Sequence, residues 1–130
     1  MERTQSPRIE ITERDAHHEK LMRSILSNLS DTPLVLKGGT ALYLGYGLNR
    51  FSENLDFDSS KKLNILNKIK SSSPHGITIT DINVKKDTDT VSRYMVNYKV
   101  NETGHSDKLK LEISYRTPAP NEETNIVNGI

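Results

Sequence analysis

The sequence predicts an α/β domain, of the α+β kind, in which a small mixed sheet is flanked by helices. Three observations predict it. Two segments carry apolar residues at helical spacing, five short segments alternate or run apolar in the manner of strands, and one strand leads through Gly38-Gly39-Thr40 into a further helix.

Between Ile11 and Leu29, the residues Leu21, Met22, Ile25, Leu26 and Leu29 recur at spacings of three and four among charged and polar neighbours, the pattern of an amphipathic helix. Thr12, Glu13 and Asp15 supply its start signals. His17-His18 reads as solvent-exposed on this charged helix and not as a metal pair, because adjacent helical positions do not face one another. Thr32-Pro33 ends the helix, since proline pushes the preceding residue toward extended geometry, and Leu34-Val35-Leu36 is then a short buried strand. After the glycine turn, Ala41 to Leu48 reads as a second helix capped near Thr40 and closed by Gly47-Leu48-Asn49. Leu55 and Phe57 alternate with Asn54, Asp56 and Asp58, giving a strand with one apolar and one polar face.

Ser59-Ser60 is expected to cap a third helix with the stripe Leu63, Ile65, Leu66 and Ile69, ended by the loop Ser71 to Gly76. Three strands follow, Ile77 to Val84, Val91 to Val100 and Leu109 to Tyr115, the last two forming a hairpin around the polar connection Asn101 to Asp107. Tyr94 and Tyr98 share one strand face and read as core. Tyr43 and Tyr46 suit either core or the wall of a base pocket. His75 and His105 fall in loops with no partner at ligand spacing. Thr117-Pro118-Ala119-Pro120 suits neither helix nor central strand, so the domain is expected over residues 1–116, with 117–130 a Pro-rich tail or linker.

Composition narrows the function classes. The chain has 130 residues, enough for one core, and Lys+Arg 18 against Asp+Glu 17 leaves a net charge of +1, so no global positive field attracts nucleic acid. Any such contact is local. Zero cysteines exclude disulfide scaffolds, thiolate zinc sites and cysteine nucleophiles, and suit a reducing cytoplasm. The charged N-terminus and short apolar runs predict neither a signal peptide nor a membrane span. A hydrophobic share of 33% with 5% aromatic residues is lean, as in a domain whose surface expects cover.

The chemistry concentrates between Val35 and Asp58. A strand delivering Gly38-Gly39-Thr40 to a helix start presents free backbone N–H groups to an anion such as a phosphate. Asn54 and Asp56 then share a strand face and can share a hard divalent ion. Glu112 is the candidate third acid, on the polar face formed with Lys108, Lys110, Ser114 and Arg116; Lys108 and Lys110 are its expected ion-pair partners if that face is merely solvated. Should the strand of Glu112 neighbour that of Asp56, both carboxylates would stand beside the glycine turn, an arrangement that suits nucleotidyl transfer from a triphosphate with Mg²⁺.

Gly-Gly-Thr, a helix and then RFSENLDFD together resemble the AbiEii/AbiGii-type toxin nucleotidyltransferases of abortive-infection systems, within the DNA-polymerase-β-like nucleotidyltransferase superfamily. The likeness runs from about Ile11 to Arg116. It implies that Gly38, Gly39 and Thr40 hold phosphates, that Arg50 and Ser52 assist nucleotide binding, and that Asp56, Glu112 and Asn54 are the catalytic metal ligands. It further implies Mg²⁺ or Mn²⁺, an NTP substrate, a tRNA or protein acceptor, and a cognate antitoxin in a bacterial cytoplasm. Two departures stand out. Asn54 occupies the position of the family's first acid, with Asp58 available in a shifted register, and the family's following helical domain has no counterpart before Ile130. The rival reading is a catalytically silent nucleotide-binding or protein-binding module derived from the same fold.

Overall fold

The computed structural model describes residues 13–37 and 54–116. Its elements are α1 (Glu13–Asn28), β1 (Val35–Lys37), β2 (Asn54–Ser59), α2 (Leu66–Lys70), β3 (Ile77–Asp87), β4 (Val91–Val100) and β5 (Ser106–Tyr115). The five strands make one mixed sheet in the order β1-β2-β5-β4-β3. All neighbours are antiparallel except β2 and β5, which run parallel.

Alternation sets the two faces of this sheet. Leu36, Leu55, Phe57, Tyr94, Val96, Tyr98, Leu109, Leu111 and Ile113 are buried in one cluster with Leu21, Met22, Ile25 and Leu26 of α1 and Ile65 and Ile69 around α2. The apolar face is thereby covered by helices. Asn28 and Ser24 of α1 join the two helices through Ser71 and Ser72 just beyond α2, which fixes the pair against the sheet. No described helix is long and apolar enough to cross a membrane.

Three expectations change. The helix expected from Ser59 onward is only Leu66–Lys70, because Ser59 belongs to β2 and its hydroxyl forms a turn with the backbone of Lys61. The Tyr115 hydroxyl donates to the Leu63 carbonyl and the Asn64 side chain accepts from the Leu66 N–H, so the helix begins only beyond them. Secondly, β3 continues to Asp87, with register shifts at Ile79/Asp81 and Val84/Lys86. The first shift inserts one residue, so Ile82 returns to the core face although it lies three residues after Ile79. Thirdly, His18 is fully buried, with Nδ1 2.7 Å from the Tyr98 hydroxyl, and is not exposed on the helix surface.

The hairpin of β4 and β5 is present with a tighter connection than expected. Val100 N–H donates to the His105 carbonyl, and Gly104 takes a φ of +74°, a conformation that costs a glycine little. The expected helix from Ala41 to Leu48, Tyr43 and Tyr46, and the tail 117–130 lie outside the described residues.

Candidate active site

The polar face of the sheet is built by the same alternation that builds the core. On β2, Leu55 and Phe57 are buried among apolar side chains, so Asn54 and Asp56 must project to the opposite side. On β5, burial of Leu109, Leu111 and Ile113 does the same for Lys110, Glu112 and Ser114.

The parallel pairing of β2 and β5 sets Asn54 opposite Lys110, Asp56 opposite Glu112 and Asp58 opposite Ser114. Adjacent strands lie about 4.8 Å apart, so the two acids are neighbours on one face. Burial pushes the Asp56 carboxyl above its ordinary value near 3.8, with Glu112 adding to the rise while Lys110 and Lys37 oppose it. The rise is mainly the cost of taking a carboxylate out of water, and the neighbouring Glu112 charge adds to it.

Each acid has basic company. Arg93, the β4 residue directly opposite Glu112, donates from Nε to Glu112 Oε1 at 2.9 Å. This partner differs from the expected Lys108 or Lys110, because the hairpin register brings Arg93 and not a lysine across from the acid. Arg93 was readable as a polar-face residue, since it alternates with Tyr94 and Val96, but its pairing depended on that register.

Asp58 behaves unlike its neighbours. Its side chain is only 1% exposed and Oδ1 accepts from Lys37 Nζ at 2.7 Å and from Arg116 Nε at 3.0 Å. Burial alone would raise this carboxyl, but Arg116 and Lys37 together hold it below the ordinary value. The shifted-register alternative, with Asp58 in place of Asn54, thus meets a carboxylate already committed to two cations.

Gly38, Gly39, Thr40, Arg50 and Ser52 lie outside the described residues. Lys37, the residue before Gly38 in the sequence, is the cross-strand partner of Asp56, and β2 begins at Asn54. Among the described residues no three His, Cys, Asp or Glu side chains cluster as metal ligands. Two carboxylates and the amide oxygen of Asn54 are nevertheless a hard-oxygen donor set, and magnesium commonly takes one or two protein carboxylates and completes its shell with substrate phosphates and water. A separate cleft of about 230 Å³, lined by His17, Tyr98, His105 and Asp107 among others, lies between α1 and the β4–β5 turn and includes neither acid.

Comparison with known proteins follows the same direction. The sequence profile of the family described as nucleotidyl transferase AbiEii toxin, type IV TA system, matches residues 20–130. A crystal structure of a Helicobacter pylori protein assigned as a nucleotidyltransferase is similar with a TM-score of 0.83 and 57% identity, over 92% of this chain and 53% of that one. JHP933 from Helicobacter pylori is similar with a TM-score of 0.81 and 59% identity, over 87% of this chain and 49% of that one. This chain therefore spans about half the length of either protein. No curated protein matches it.

Proposed function

The chain belongs to the AbiEii family of nucleotidyl transferase toxins, and from that membership we propose that it transfers a nucleotide from an NTP to an RNA acceptor such as tRNA, or to a protein, as the toxin of a bacterial toxin–antitoxin system. One observation carries the reading at the level of chemistry, namely that Asp56 and Glu112 stand at one register position on one sheet face.

In this reading Asp56, Glu112 and the amide oxygen of Asn54 would hold Mg²⁺ or Mn²⁺. When bound, such an ion stabilises charge on the α-phosphate and makes an acceptor hydroxyl easier to deprotonate. The chain's own residues prepare the place. Arg93 fixes one oxygen of Glu112 and leaves the other available, while the core behind Leu55 and Leu111 keeps the two strands in register. Gly38, Gly39 and Thr40 would hold the triphosphate through backbone N–H groups, with Arg50 and Ser52 beside it. The cognate antitoxin would be a partner, and the cytoplasm the compartment.

The test is transfer of label from each of the four α-labelled NTPs to total tRNA and to protein. Asp56→Ala and Glu112→Ala should each abolish it, and activity surviving both substitutions would remove the two acids from the chemistry. Asn54, a neutral ligand in the place of an acid, favours a second reading, a silent nucleotide-binding module. That reading predicts NTP binding with no label transferred and no pyrophosphate released.

A further inference from the structure

Lys37 has two carboxylates within its reach and forms its ion pair with Asp58, acting on Asp56 only through space. Its direct cross-strand partner is Asp56, yet its ammonium sits on the diagonal neighbour Asp58, 2.7 Å from Oδ1. Direct and diagonal positions are both accessible to a long side chain on an antiparallel pair. The choice is made by burial: Asp58 is 1% exposed, whereas Asp56 is half-buried, and an ionised carboxylate removed from water demands a counter-charge more strongly. Arg116 holds the same oxygen from one residue beyond the end of β5, four residues after Glu112.

We infer that Asp58 is a positioning residue whose task is to hold the Lys37 ammonium off Asp56, leaving Asp56 open to a divalent cation. This rests on the reading of Asp56 and Glu112 as the metal carboxylates. An ammonium released from Asp58 pairs with its cross-strand partner Asp56, and a cation already seated there competes with the metal. The same ion pair ties Lys37, the last residue of β1, to β2.

The experiment measures Mn²⁺ binding to the full chain by the electron paramagnetic resonance signal of the free ion, alongside thermal melting of each variant. Asp56→Ala tests the underlying reading: if the unmodified chain binds no Mn²⁺, or if this variant binds as well as the unmodified chain, the metal site fails and the inference with it. Given that site, Asp58→Asn should weaken Mn²⁺ binding about tenfold, a modest part of what one close charge pair near a protein surface supplies. Two double variants then restore the original net charge. Asp58→Asn with Lys37→Met should recover the original affinity even though melting stays lowered, whereas Asp58→Asn with Arg116→Met should not, because Arg116 does not stand opposite Asp56. Recovery in both, or in neither, overturns the inference, as does unchanged affinity in Asp58→Asn.

Should Asp58→Asn not fold, the single variants decide. Lys37→Met and Arg116→Met each remove one positive charge, and with Lys37 held away from Asp56 their Mn²⁺ affinities should agree within about threefold. A much tighter site in Lys37→Met alone would mean that Lys37 already occupies Asp56, and the positioning role would be lost.

Discussion

Asp56 and Glu112 occupy the same rung of the parallel pair β2–β5, and the side chains before and after them, Leu55 and Phe57 on one strand and Leu111 and Ile113 on the other, are all buried on the reverse face. The two acids are thus held by the core itself. Neither can turn away without exposing apolar neighbours, because a one-residue slip reverses every side chain on a strand.

Asn54 gives the first prediction. It lies on the same face two residues before Asp56, where it offers a neutral oxygen. Asn54→Asp would add a full charge to the donor set and should raise Mg²⁺-dependent label transfer about tenfold, a modest demand on a close charge pair. The comparison is the same variant carrying Asp56→Ala, which should be inactive. No gain from Asn54→Asp would remove residue 54 from the proposed metal ligands.

Asp56 itself should be a burden on the metal-free fold. Its carboxyl is raised by burial and by Glu112, so its ionised form opposes folding; the stabilising state is the protonated one, present at low pH and lost as pH rises through the raised value. In a metal chelator at pH 7, Asp56→Asn should therefore melt at a higher temperature than the unmodified chain, and the gain should shrink toward pH 4 and below. A lower melting temperature at pH 7 would mean that Lys110 and Lys37 compensate the charge fully.

The local patterns of β2 and β5 were legible because alternation of Leu55 and Phe57, and of Leu109, Leu111 and Ile113, places Asp56 and Glu112 on polar faces without further information. Their adjacency was not. Parallel pairing joins strands far apart in sequence, and periodicity carries no record of which strands meet. His18 is a different case, since it stands three and four residues before Leu21 and Met22 and so lies on the apolar stripe of α1. Its partner, Tyr98, comes from a strand 80 residues away, and the charged surroundings of His18 outweighed its position. Asp58 escaped for the same physical reason. Its polar neighbours suggested an open face, whereas the cations that permit its burial come from β1 and from just beyond β5.

Tyr98 provides a stability test of that buried pair. The ring is 1% exposed and its hydroxyl lies 2.7 Å from His18 Nδ1, inside the core and on the face away from Asp56. Tyr98→Phe keeps the ring and removes this hydrogen bond, for which a loss of about 0.5–1.5 kcal/mol in unfolding free energy is expected from denaturant titration. Mn²⁺ binding should be unchanged. A loss of metal binding at full folding would tie this pair to the site on the other face.

Asp107 supplies the acid limb of the stability curve. It joins the start of β5 to α1 through Arg14, whose Nε lies 2.6 Å from Oδ2, and Oδ1 accepts from the Lys108 N–H at 2.8 Å. Burial pushes the carboxyl up, but the Arg14 hydrogen bond, the Lys108 N–H and the nearby positive charge outweigh it and hold the carboxyl below the ordinary value near 3.8. The sign follows from linkage: a depressed carboxyl contributes stability that is present above its unfolded value and is lost as pH falls through its folded value. Asp107→Asn should therefore lower the melting temperature at pH 7, and the deficit should narrow as pH drops below about 4, as the unmodified chain loses the same contribution. Because Asp58 is depressed as well, the Asp107→Asn variant should itself still weaken in acid. A deficit that stayed constant from pH 7 to pH 3 would show that Asp107 acts through packing alone and that the Arg14 contact contributes no charge-dependent stability.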